Sequence, residues 1–225
     1  MAEQLTFDLP TRAALGREDF FVSPANALAL AALDDWRGWP RGKLILVGPH
    51  GSGKTHLTHV WATQTGARIV PAGDLGAADL PGLAATGAVA VEDADAEGLD
   101  AAALFHLHNL LGEAGGTLLV TATRPPAQWS VALPDLISRM QAAAVARLDP
   151  PDDALLQAIL LKLFSDRQLA VTPDVTSYLL KRMERSFDTA QKLVNAIDHR
   201  ALTDGKRITR ALAGEVLDKL TEGDA

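Results

Sequence analysis

The chain has no cysteine, which excludes a disulfide framework and fits a reducing, cytoplasmic setting. It has no excess of positive charge: 21 Lys and Arg stand against 28 Asp and Glu, a net charge of −7. Counterion release, the main source of non-specific affinity for duplex DNA, is therefore largely forgone, and no direct sequence-specific DNA binding is expected. Two local basic groups remain, Lys181, Arg182 and Arg185, and His199, Arg200, Lys206, Arg207 and Arg210. They read as solvated helix faces or partner contacts. Aromatic residues are scarce, at 5%. Trp36, Trp39, Trp61 and Trp129 have no interleaved basic residues, so they read as packing rather than base-stacking groups. No uncharged apolar run approaches a membrane span, and the opening MAEQLTFDLP has acids and Pro where a signal peptide needs a basic and then an apolar region. His50, His56 and His59 lack a carboxylate or thiol partner at metal-ligand spacing.

What is present is enough apolar sequence, 48%, for a substantial core. Residues 1–17 have no sustained period and read as a flexible tail. An Ala/Leu-rich helical stretch at 26–36 precedes five short apolar runs, KLILVG, ARIVPA, AVAVED, TLLVTAT and AAVARL. Helix-like segments lie around them at 54–64, 75–84, 101–112 and 134–141. Apolar strands alternating with helices predict a parallel sheet covered on both faces, an α/β base over residues 18–149. After Asp149-Pro150-Pro151 only helices follow, at 152–169, 172–185, 189–204 and 209–220, with Thr172 and Thr209 as N-cap candidates. Residues 150–225 are thus expected to form a small helical domain.

The strongest chemical signal is Gly48-Pro49-His50-Gly51-Ser52-Gly53-Lys54-Thr55, directly after the first apolar run. It satisfies G-x-x-x-x-G-K-[ST] in the strand–loop–helix context that this pattern requires. The glycines let backbone N–H groups turn toward phosphates, and the next helix presents its positive end. Lys54 is expected to reach the β- and γ-phosphates and the Thr55 hydroxyl to ligate Mg²⁺. The third run, AVAVEDAD, ends in Glu92 and Asp93, placed to hold the water shell of the metal and to orient an attacking water. The order is inverted relative to the Asp-then-Glu of many ATPases, which shifts the reach of each acid.

The segment FFVSPANALALAAL followed by GPHGSGKTHLTHVWA resembles the opening of the AAA+ region of the DnaA family. The likeness continues through TATRPPAQW, LPDLISRM and LDPPDDALLQAIL, nearly to the end of the chain. It implies an AAA+ fold, a five-stranded parallel sheet between helices with a helical lid. It also implies that Phe21, Val22, Asn26 and His56 line the nucleotide site with residues 48–55, and that the cofactors are ADP or ATP with Mg²⁺. Thr123 takes the sensor 1 position in this resemblance, and Arg139 in Leu136-Ile137-Ser138-Arg139-Met140 takes that of an arginine finger acting in trans. The sensor 2 arginine has no counterpart: Asp188 aligns there, with Arg185 one turn earlier.

Without an initiator-type basic helix-turn-helix segment, the chain is similar to the Hda-type members of the family. Gln4, Leu5, Phe7 and Leu9 match the short peptide by which bacterial proteins bind the DNA polymerase III sliding clamp (beta). The implied partners are the DnaA initiator and that clamp, with a homo-oligomer also open. An autonomous AAA+ ATPase or clamp-loader-like factor is the alternative reading of the same residues.

Overall fold

The computed structural model describes residues 16–17 and 20–223. The proposed clamp-binding residues Gln4, Leu5, Phe7 and Leu9 lie outside them.

All five apolar runs form strands: β1 (Lys43–Val47), β2 (Arg68–Pro71), β3 (Ala88–Glu92), β4 (Thr117–Ala122) and β5 (Ala144–Arg147). They pair in parallel in the order β2-β3-β4-β1-β5. Alternation along the strands divides the core in two. Ile45, Val47, Val89, Val91, Leu118 and Val120 pack under α3 (Leu80–Ala84), α4 (Ala101–Glu113) and α5 (Pro134–Gln141). Leu44, Leu46, Ala90 and Leu119 pack under α1 (Ala27–Asp34) and α2 (Lys54–Thr65), where Trp39 and Trp61 stack at 5.3 Å. Burial on both faces explains why these strands read as continuous apolar runs. Trp129 is also buried, in the first cluster.

The crossover after β1 runs over one face and the crossover after β4 over the other. Adjacent parallel strands with oppositely directed connections leave a crevice beyond their carboxyl ends, the usual ligand position in such sheets. The loop after β1 and the turn after β4 both open into it.

The C-terminal helices α6 (Asp153–Asp166), α7 (Pro173–Leu180), α8 (Phe187–Asp204) and α9 (Arg210–Gly223) enclose a third core, built on Leu156, Leu160, Phe164, Leu179, Leu193 and Val216. Several helical segments differ from expectation: α6 ends at Asp166 rather than 169, and α8 begins at Phe187 rather than 189. The stretch 75–84 divides into a 3-10 turn, Ala72–Ala77, and the short α3, whose first turn contains Pro81 and is capped by the Asp79 carboxylate. The helix expected at 172–185 stops at Leu180. Thr209 caps α9 through its hydroxyl, which accepts the Leu212 N–H, whereas the Thr172 hydroxyl is turned to Asp174. Among the described residues no helix is long and apolar enough to cross a membrane.

Lys43 is an oddity of this core. It shares the face of Ile45, is 4% exposed, and among the described residues its ammonium donates only to the Gly116 carbonyl, at 3.4 Å. Burial pulls its pKa down to about 8. Below that value native and unfolded chains both carry the proton, and the desolvation penalty acts in full. Between about 8 and the ordinary 10.5 the unfolded chain holds the proton and the native one releases it, so stability rises with pH. Lys43→Met is expected to be more stable near pH 7 by roughly 3 kcal/mol. Urea unfolding of both proteins near pH 7 and near pH 10 checks this, and the advantage should shrink at the higher pH.

Candidate phosphate site

The loop between β1 and α2 owes its shape to two glycines. Gly51 and Gly53 have φ values of +65° and +96°, which residues with a Cβ seldom adopt. At Gly51 a contact also closes the position to side chains, since a Cβ there would stand 2.0 Å from Ser186 Oγ; at Gly53 a Cβ would only touch the rings of Phe187 and Phe20, and the backbone angle alone calls for glycine. Gly48 N–H donates to the Ala122 carbonyl, which ties the start of the loop to the end of β4.

Lys54, 6% exposed, folds back across the loop and donates to the carbonyls of Gly48 at 2.8 Å and Pro49 at 3.0 Å. An ammonium has three donors, so one remains. Burial lowers its pKa, and the nearby charges of Asp93, Asp95 and Glu92 oppose that shift. Ser52 Oγ and Glu92 Oε1 are buried with no hydrogen-bond partner among the described residues. The Thr55 hydroxyl sits against the Glu92 carboxylate; burial raises that carboxyl's pKa, and Thr55 partly offsets the rise. Two positive-φ glycines, a spare ammonium donor, an orphaned hydroxyl and an orphaned carboxylate oxygen form a donor set that fits polyphosphate with Mg²⁺. Thr55 and Glu92, the expected metal-side pair, do meet. Asp93 is exposed at φ +57°, and its N–H donates to Thr121 Oγ1 at 3.0 Å.

The other expected site residues divide by role. Phe21 and Val22 are exposed, at 36% and 57%. Asn26 is buried and braces its own segment: it donates to the Phe21 carbonyl at 2.8 Å and accepts the Ser23 N–H at 2.9 Å. His56 stands edge-on to Phe20 at 5.2 Å and lies 2.9 Å from the Gly16 carbonyl, so it anchors the approach to α1. His50 is exposed beside the turn.

Thr123 follows β4 at the crevice, and its partner is one that the motif reading missed. The Asp95 carboxylate, 3% exposed at its side chain, accepts the Thr123 N–H at 2.9 Å, the Thr123 hydroxyl, the Arg124 N–H at 3.0 Å and Arg124 Nε at 3.5 Å. Burial pushes that carboxyl up, but the hydrogen bonds outweigh it and its pKa lies below the ordinary value.

The helical domain meets the loop directly. Phe187 N–H, at the start of α8, donates to the Gly51 carbonyl at 2.8 Å, and Ser186 caps the helix by accepting the Thr189 N–H. One residue on, Asp188 pairs with Lys192 at 2.9 Å, and Arg185 pairs with Asp153 at 2.8 Å. Asp188, the acid that the family resemblance aligns with sensor 2, is thus paired within its own helix, and Arg185 is engaged with α6.

Arg139 lies elsewhere. It is exposed in the last turn of α5, which leads into the start of β5 and so lies toward the amino-terminal ends of the parallel strands, opposite the end that carries the loop. Together with Lys43 and Arg41 it depresses the pKa of His108, which burial lowers first. Among the described residues no carboxylate pairs with it.

No protein-family model matches the chain. Among solved structures it is similar to domain III of the replication initiation protein DnaA from Thermotoga maritima, at 21% identity, over 94% of this chain and 98% of that one, with a TM-score of 0.76. It is also similar to AMPPCP-bound DnaA from Aquifex aeolicus, at 17% identity, over 81% of this chain and 64% of that one, with a TM-score of 0.67. The Thermotoga maritima RuvB Holliday junction branch migration motor matches at 19% identity over 87% of this chain and 67% of that one, with a TM-score of 0.64. At such identities the likeness is one of fold, and the five-stranded parallel sheet between helices expected from the sequence is the one found.

Proposed function

We propose that the chain binds an adenine nucleotide, ADP or ATP with Mg²⁺, on residues 48–55. We further propose that it acts with the DNA-loaded sliding clamp to stimulate hydrolysis of ATP held by the DnaA initiator, which limits replication initiation. The observation that carries the nucleotide reading is Lys54, buried on its own loop with two carbonyls and a donor to spare. The AMPPCP bound to the similarly folded Aquifex aeolicus DnaA supports the choice of an adenine nucleotide. Lys54 and the loop N–H groups would hold the phosphates, and Thr55 and Glu92 would hold the metal, which neutralises phosphate charge when bound. The inverted Glu92-Asp93 pair and the acid at position 188 favour weak turnover at this site. Arg139, exposed and remote from its own loop, suits a role on a neighbouring subunit's nucleotide.

The deciding experiment measures hydrolysis of initiator-bound ATP with and without this protein and DNA-loaded clamp. Stimulation that needs both supports the reading. Steady ATP hydrolysis by the isolated protein, with no effect on the initiator, would replace it with an autonomous ATPase. For the tail, Gln4→Ala with Leu5→Ala is expected to abolish clamp binding in a pull-down while leaving the melting temperature and nucleotide affinity unchanged. Undiminished clamp capture would remove the tail from the proposal.

A further inference from the structure

The turn after β4 carries information about hydrogen-bond polarity that the motif does not. A threonine hydroxyl has a single proton. In this chain the Thr123 hydroxyl spends that proton on Asp95, whose carboxylate is an acceptor only. Asp95 holds this state firmly, because it is nearly fully buried and also takes the N–H groups of Thr123 and Arg124. The arrangement sits at the phosphate end of the crevice: Ala122, next to Thr123, accepts Gly48 N–H, and the Asp95 charge reaches Lys54. Thr121 is engaged in parallel, its hydroxyl accepting the Asp93 N–H and its carbonyl the Ala94 N–H. The ends of β3 and β4 are therefore stapled together at three successive residues, 93 to 95.

We propose that Asp95 is a positioning residue that fixes the polarity of Thr123, so that this hydroxyl faces the phosphate site only as an acceptor and holds a hydrogen-bond donor, a water molecule, rather than a phosphate oxygen. The inference rests on the nucleotide reading of the loop. A hydroxyl with only lone pairs to offer, backed by a carboxylate, gives nothing to a terminal phosphate. A hydroxyl whose proton is released would gain a hydrogen bond to a charged group.

The test is a double-mutant cycle read by calorimetric titration with Mg²⁺-ADP and Mg²⁺-AMPPCP. Asp95→Ala removes the acceptor and frees the Thr123 proton. It is expected to shift the ratio of affinities about tenfold toward the triphosphate analogue. Asp95→Asn, which keeps the side chain's size and leaves one oxygen where two now accept, should shift the ratio in the same direction, and it carries the test if the alanine variant melts early. Loss of a negative charge alone would also favour the triphosphate, so both variants are repeated with Thr123→Val. In that background the shift should fall to whatever charge alone supplies. Equal shifts with and without the hydroxyl would overturn the proposal while leaving the nucleotide site standing. Failure of the wild-type chain to bind either nucleotide would overturn both.

Discussion

An Arg139→Ala chain is expected to bind nucleotide and clamp as the wild type does and to lose most of its stimulation of initiator-bound ATP hydrolysis. The side chain is exposed, has no carboxylate partner among the described residues, and lies toward the end of the sheet opposite Lys54, so its removal should disturb neither the core nor the loop. An arginine supplied in trans stabilises charge that develops on the transferred phosphoryl group, an effect worth roughly 10³–10⁵ in rate in the best-studied GTPases. Even a small share of that range is easily measured as released phosphate in a reaction with clamp, DNA and initiator. Arg139→Lys should rescue poorly, because an ammonium lacks the planar fork of the guanidinium. Full stimulation by the alanine variant would reassign the role to the initiator's own residues.

Lys54→Ala is expected to weaken binding of both ADP and AMPPCP by at least about ten- to a hundredfold, the range for a lost hydrogen bond to a charged group. The ammonium is already desolvated and already fixed by the Gly48 and Pro49 carbonyls, so little ordering remains to oppose its interaction with phosphate. Calorimetric titration of both proteins checks the prediction. Equal affinities would make the loop a structural turn and the lysine a brace for its carbonyls. A circular-dichroism melt run alongside separates loss of the site from loss of the fold.

The parallel sheet was legible because its strands are buried on both faces, which compresses each into a short apolar run that few other structures produce. The phosphate loop was legible because its glycines, lysine and threonine are consecutive and their geometry is local. What escaped depends on distance along the chain. Asp95 is an ordinary acid after a strand until β4 brings Thr123 against it, 28 residues later. Ser186 and Phe187 gain their meaning only when α8 docks on Gly51. The sequence places the start of α8 at Thr189, two residues late, because Ser186 is the cap and its hydroxyl accepts the Thr189 N–H. Asn26 was expected at the nucleotide from the family likeness. Its amide also braces the backbone of its own segment, a use that no spacing reveals.

The bond from Phe187 N–H to the Gly51 carbonyl makes the helical domain and the phosphate loop parts of one equilibrium. Coupling of that kind is reciprocal: whatever factor a nucleotide contributes to the preferred seating of the helices, a protein gripping those helices returns to the nucleotide's affinity. A change in the seating of α8 thus acts on the loop through the Gly51 carbonyl and the neighbouring contacts of Ser186 and Phe187.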